Sequence, residues 1–179
     1  IEMISELHKI NNDINIFAGI NKNQYLKKLP KDIINEVKFN NYLPYSTKII
    51  MKLNNYFFNK KILNYKPDII HYTYYNYINS HKNYNKAKKI ITVHDMIHEL
   101  FPKMFNNKDT TSIIKKNAIM NSDHIITVSN STKKDLINLL KIPEEKISVV
   151  YLASNNELDL EIDYKQFNNT DPYLLYVGK

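Results

Sequence analysis

One pattern occurs twice between Ile90 and Leu140 and sets what this chain can fold into: an apolar run that ends in a polar tip. The first copy is Ile90-Ile91-Thr92-Val93, closing on His94-Asp95. The second is His124-Ile125-Ile126-Thr127-Val128, closing on Ser129-Asn130-Ser131-Thr132, and Lys133-Lys134-Asp135-Leu136 continues it as a helix. Unbroken β-branched runs mark strands buried on both faces, as in parallel sheets. Ligands of such sheets lie beyond the carboxyl ends of the strands. His94 and residues 129–132 stand at those ends.

The rest of the chain alternates in the same way. Ile1, Ile4, Leu7 and Ile10 recur at helical spacing, and Ile14 to Gly19 reads as a strand. A short strand is expected at Glu36 to Phe39. Ile49, Ile50, Leu53, Tyr56, Phe57 and Leu63 form the apolar stripe of a longer helix. Ile69 starts the next strand, and Tyr74 to Lys89 is a polar, tyrosine-rich connection. Thr110 to Asn121 predicts a helix. Asn130 or Ser131 is the expected N-cap of the helix reaching Leu140, with Asp135 in its first turn. Lys146 to Leu152 is the last strand of this series. Strands near residues 14, 69, 90, 124 and 147, separated by helices, imply a parallel sheet wrapped by helices.

Composition removes several kinds of chemistry. The 179 residues contain no cysteine, so neither disulfides nor thiolate chemistry is available, in keeping with a cytoplasmic protein. The two glycines, Gly19 and Gly178, leave no glycine-rich phosphate loop and no nucleophile elbow. No apolar run reaches the roughly 18 residues that cross a bilayer. A formal charge of +7 and a pI near 9.3 favour anionic partners: nucleic acid, an anionic membrane face or phosphorylated small molecules. The run from His71 to Tyr77, followed by Lys82, Lys86, Lys88 and Lys89, interleaves aromatics with bases. Such a stretch can stack single-stranded nucleic acid or meet membrane phosphates, but the favoured reading is a solvated connection between strand and helix.

Three segments, in order and spacing, resemble the retaining GT-B glycosyltransferases of family 4, the glycogen-synthase-like group. They are Lys66-Pro67-Asp68-Ile69-Ile70-His71, then Ile91-Thr92-Val93-His94-Asp95 with Phe101-Pro102, then Asn121 to Leu136. Residues 141–150 and Tyr176-Val177-Gly178-Lys179 extend the likeness. The resemblance implies an α/β fold: a Rossmann-like parallel sheet with helices on both faces, the N-terminal domain of a GT-B protein, truncated at both ends. Residues 1–154 would form that acceptor-side domain without its first strand. Residues 155–171 would be a linker, and 172–179 the first strand of the donor-side domain. The implied activity is transfer of a sugar, GDP-mannose being one donor, from a nucleotide-diphosphate sugar to a saccharide or lipid-linked acceptor with retention. No cofactor and no metal are implied. The setting would be the cytoplasm, including the inner face of an anionic membrane, with nucleic acid not a partner.

The resemblance makes His94 the catalytic candidate, an imidazole able to donate to developing charge on a leaving group. A strand-end histidine satisfied by the backbone is the competing reading. Asp95, His71, Ser129, Ser131 and Thr132 are candidate substrate-binding residues, against ordinary roles as turn former, strand histidine and helix cap. Lys179 matches a basic position that contacts the donor diphosphate. His98, four residues beyond His94, invites a metal reading, but a strand-end His followed by Asp is not the helical pair that zinc enzymes use. Two other classes remain: a non-catalytic basic α/β module for nucleic acid or an acidic partner, and a GT-B sugar-nucleotide epimerase.

Overall fold

The computed structural model describes residues 2–10, 13–38, 46–75 and 86–152. The elements in chain order are α1 (Glu2–Lys9), β1 (Ile16–Asn21), β2 (Ile34–Lys38), α2 (Thr47–Tyr65), β3 (Ile69–Tyr72), β4 (Lys88–Val93), α3 (Ile97–Leu100), α4 (Thr111–Met120), β5 (His124–Thr127), α5 (Asn130–Leu140) and β6 (Ile147–Val149). The expected linker at 155–171, the strand at 172–179 and Lys179 itself fall outside the described residues.

Among the described residues every strand pairing is parallel, in the order β3-β4-β5-β6 for one sheet and β1-β2 for the other. Parallel neighbours need long crossovers, which here carry α4 between β4 and β5 and α5 between β5 and β6. Rather than one sheet, the described strands form two, bridged by α2. Phe58 of that helix meets Phe17 of β1 edge-on at 5.6 Å and Tyr72 of β3 at 6.3 Å.

The β-branched runs are buried on one face more than on both. Ile91 and Val93 are 0% exposed and Ile125 is 1%. Ile90, Thr92 and Ile126, pointing the other way, are only half-buried. The buried set packs with Met96, Ala118, Ile119, Leu136, Ile142 and Ile147 into one core beneath α4 and α5. Each such large aliphatic chain contributes about 1.5–3 kcal/mol by leaving water.

Asp123 joins β5 to β4. Its N–H donates to the Lys89 carbonyl and its Oδ2 accepts the Lys89 N–H, both at 2.8 Å. That backbone bond, with Lys88 nearby, holds its carboxyl below the usual carboxylate range.

The sequence misreads α2. Ile49, Leu53, Tyr56, Phe57 and Leu63 are exposed, and the inward face is Asn54, Phe58 and Ile62. The reason is Asn54: its amide accepts the Ile20 N–H at 2.8 Å and donates to the Ile20 carbonyl at 3.1 Å. A polar residue therefore belongs on the buried face. Gly19, at φ +58°, makes this approach possible, since a Cβ there would sit 2.6 Å from Asn54 Oδ1. Boundaries shift elsewhere too. β1 begins at Ile16, the next strand is Ile34–Lys38 after a 3₁₀ turn, and β6 is only Ile147–Val149.

Candidate functional site

The carboxyl end of β4 is where four segments meet. The strand stops at Val93, and the chain turns through His94, Asp95 and Met96 into the short helix α3. Met96, 1% exposed, anchors that turn in the core, while His94 stays exposed. The backbone under the imidazole is held at three polar groups of two adjacent residues. The His94 N–H donates to the Tyr75 hydroxyl at 3.2 Å. The His94 carbonyl accepts from the Thr132 hydroxyl at 3.2 Å. The Asp95 carbonyl accepts from Lys115 Nζ at 3.0 Å. A side chain aimed at a ligand needs a support of this kind.

Each holder is fixed in turn. Tyr75, just after β3, is 7% exposed, and burial pushes its hydroxyl up to about 12, so it stays neutral and able to accept. Thr132 is tied to the start of α5. Ser129, extended at φ −156°, caps that helix by accepting the Thr132 N–H at 3.1 Å. Its hydroxyl also lies 3.0 Å from Thr132 Oγ1. Thr132 gives its one proton to His94, so Ser129 must donate to Thr132, making a chain of hydroxyls that ends on the His94 carbonyl.

Lys115 is the unexpected member. It is 0% exposed in the middle of α4. Its ammonium reaches Glu99 Oε2 at 2.9 Å, Asp95 Oδ1 at 3.5 Å and lies 5.2 Å from the Tyr75 ring centre. A lysine is almost never fully buried unless paired. Here a carboxylate, a carbonyl and an aromatic face surround it.

The candidates from the sequence are distributed as follows. His94, Asp95, Ser129 and Thr132 are brought together at the β4–α5 tip. Asp95 accepts the Ile97 N–H at 3.0 Å, which opens α3, so it does act as a turn former. The N-cap of α5 is Ser129, not Asn130 or Ser131. Asn130 is already helical and donates to the Tyr151 hydroxyl at 2.7 Å, Ser131 is exposed, and Asp135 falls in the second turn. His71 is drawn into the sheet instead of to the tip. It pairs with Thr92 Oγ1 at 2.8 Å, and burial lowers its pKa, so its ring is neutral at pH 7. His98 stacks on Phe105 at 3.9 Å and has Nε2 3.5 Å from Asp109.

Tyr75, Glu99 and Lys115 escaped the sequence reading. Lys115 did leave a signal: it shares a helical stripe with Ala118 and Ile119, both buried, where a lysine is out of place.

Residues 1–155 match the profile of Glycosyltransferase Family 4. The chain belongs to this family. Within this family 4 chain, 88 residues are 31% identical to the O-antigen chain mannosyltransferase RfbU of Salmonella typhimurium strain LT2. That match covers 49% of the chain and 24% of the mannosyltransferase, so the aligned part spans about a quarter of the curated relative's length. A crystal structure of a glycosyltransferase from Rickettsia africae ESF-5 is also similar, at TM-score 0.39 and 22% identity. It covers 74% of this chain and 33% of that one.

Proposed function

We propose that the full-length protein carrying this family 4 chain transfers a sugar from a nucleotide-diphosphate donor to a saccharide or lipid-linked acceptor, retaining the donor's anomeric configuration. The bond from the anomeric carbon to the diphosphate oxygen breaks, a bond from that carbon to an acceptor hydroxyl oxygen forms, and the hydroxyl proton passes to the departing diphosphate. His94 donates a hydrogen bond from its imidazole to an oxygen of the transferred sugar or the departing diphosphate, where charge grows in the transition state. Asp95 and Ser131 border the same tip and contact acceptor hydroxyls. Ser129 and Thr132 serve by holding the His94 carbonyl, and Lys179 contacts the donor diphosphate. No metal takes part.

The observation that carries this reading is an exposed His94 on a backbone held by Tyr75, Thr132 and Lys115, in a chain whose family is settled by residues 1–155. The similarity to an O-antigen mannosyltransferase supports mannose as the sugar. The test is a sugar-nucleotide screen on the full-length protein that follows nucleoside diphosphate release. His94→Ala is expected to lower turnover at least about tenfold, a conservative share of what one positioned donor supplies. Near-normal turnover with a folded variant refutes the role.

A lipid-linked acceptor calls for a protein that works at the cytoplasmic face of a membrane. The outward side of α2 supports that setting. It exposes Ile49, Tyr56 and Phe57 at 63%, 62% and 49%, with Lys52 and Lys60 among them, and the helix contains no acidic residue. None of the described helices is long and apolar enough to cross a membrane. Binding to vesicles containing anionic phospholipid, weakened by salt and by Tyr56→Ser/Phe57→Ser, is expected. Equal retention on neutral vesicles refutes the electrostatic part.

A further inference from the structure

We propose that Lys115 is a positioning residue for His94: its buried ammonium locks the His94-Asp95-Met96 turn so that the imidazole is presented at a fixed angle. The proposal rests on the reading of His94 given above.

The argument starts from what Lys115 replaces. Its neighbours on α4 that face the core are Ala118 and Ile119. An apolar side chain at 115 would fill the same space without desolvating a charge, and buried ion pairs exchanged for hydrophobic residues often leave a protein as stable or more so. Core packing therefore does not call for a lysine. What the ammonium does, and no apolar group can, is donate in several directions at once. One donation goes to the Asp95 carbonyl at 3.0 Å, one residue after His94. A second goes to Glu99 at 2.9 Å, on the helix that the turn leads into. The third direction meets Asp95 Oδ1 at 3.5 Å, the oxygen that also accepts the Ile97 N–H. Both ends of the turn are thereby tied to one atom. The ammonium also lies 5.2 Å from the centre of the Tyr75 ring, and the Tyr75 hydroxyl accepts the His94 N–H. Lys115 thus grips the chain immediately after His94, beside the ring whose hydroxyl holds the His94 N–H, while its own side chain is 1% exposed. Buried at that depth, it acts through His94 and not on substrate.

The experiment uses the full-length protein and the donor that supports turnover. Lys115→Met removes the ammonium but leaves Glu99 without its partner. Lys115→Met/Glu99→Gln removes both charges and keeps the site neutral, so a folding failure of the single variant does not end the test. In the double variant kcat is expected to fall at least about tenfold, since small misplacements of reacting groups cost up to about a hundredfold. KM for the donor is expected to stay within about threefold, because the chemical step is the one affected. Added to His94→Ala, the same pair of changes is expected to lower turnover less than about twofold further, as residues acting as a unit are not additive. Hydrogen exchange of the peptide spanning residues 94–100 is expected to accelerate in the double variant, which needs no substrate to observe.

Unchanged kcat in the double variant, an equal fold-loss in the His94→Ala background, or unchanged exchange at 94–100 would each overturn the positioning role while leaving that of His94 intact. Full activity of His94→Ala alone would instead overturn the reading on which the proposal rests, and the proposal with it.

Discussion

Replacing Lys115 by methionine keeps the stem and removes the charge, and the structure says what is then left behind. Glu99, with its side chain 10% exposed, loses its ammonium, and the Asp95 carbonyl loses its donor. Removing one partner of a buried pair costs about 3–5 kcal/mol, and the residual exposure of Glu99 puts this site near about 3. The stranded carbonyl adds about 1 kcal/mol. The expected loss is therefore about 4 kcal/mol, a large part of the roughly 5–15 kcal/mol that holds a domain together. At about 2–4 °C per kcal/mol for a chain of this size, Tm should fall by about 8–16 °C. Urea unfolding followed by far-UV circular dichroism measures the loss directly. Lys115→Met/Glu99→Gln exchanges the stranded carboxylate for an amide and should recover about half of it, because the uncompensated charge is the larger penalty. A single variant that loses less than about 1 kcal/mol would refute the reasoning. So would a double variant no more stable than the single.

Two further outcomes are expected. Lys141, the C-cap of α5, sits at φ 55°, ψ 35°. Left-handed geometry costs a non-glycine residue about 1–2 kcal/mol, and glycine gives back about 0.5–1 kcal/mol through its freer unfolded chain. Lys141→Gly should therefore stabilise by about 0.5–1 kcal/mol, and a measured loss in urea unfolding would count against the strain. His71 is held neutral by burial, with its pKa below the ordinary value. A histidine with a lowered folded-state pKa contributes stability at neutral pH, lost as pH falls from about 6.5 through that lowered value. His71→Gln should flatten unfolding free energy over this acidic window, and an unchanged slope would show that the ring is not buried as a neutral base.

The third of the chain from Lys88 to Val149 was legible because its signals were local and redundant. β4 and β5 announced themselves as β-branched runs, and α5 by a hydroxyl-rich start and an apolar stripe ending before Pro143. The cap itself moved from Asn130 or Ser131 to Ser129, since three polar residues in a row offer the same chemistry to periodicity. The helix α2 was harder for a physical reason. Its inward face is chosen by one amide, Asn54, bonding the backbone of Ile20, and hydropathy has no term for such a contact. Exposed Ile49 and Tyr56 then outvoted Phe58 and Ile62. At the candidate site, the place of His94 just after a strand was legible, and the structure keeps it there. Tyr75 was lost in a tyrosine-rich stretch where no single ring stands out. Glu99 and Lys115 lie sixteen residues apart in the chain, and only tertiary structure makes them a pair.

The grip on the β4 tip also has a consequence for the order of folding. Its holders stand 19, 20 and 38 residues away in the chain from the backbone groups they bind. Contacts that distant require loops to close first, and they are rewarded only after the flanking strands and helices have docked. The imidazole is thus oriented only where strands and helices distant in the chain have docked together. Brief local unfolding of α4 or of the start of α5 would disarm the tip while β4 and β5 remain paired. Loss of competence on mild heating should then precede loss of the sheet.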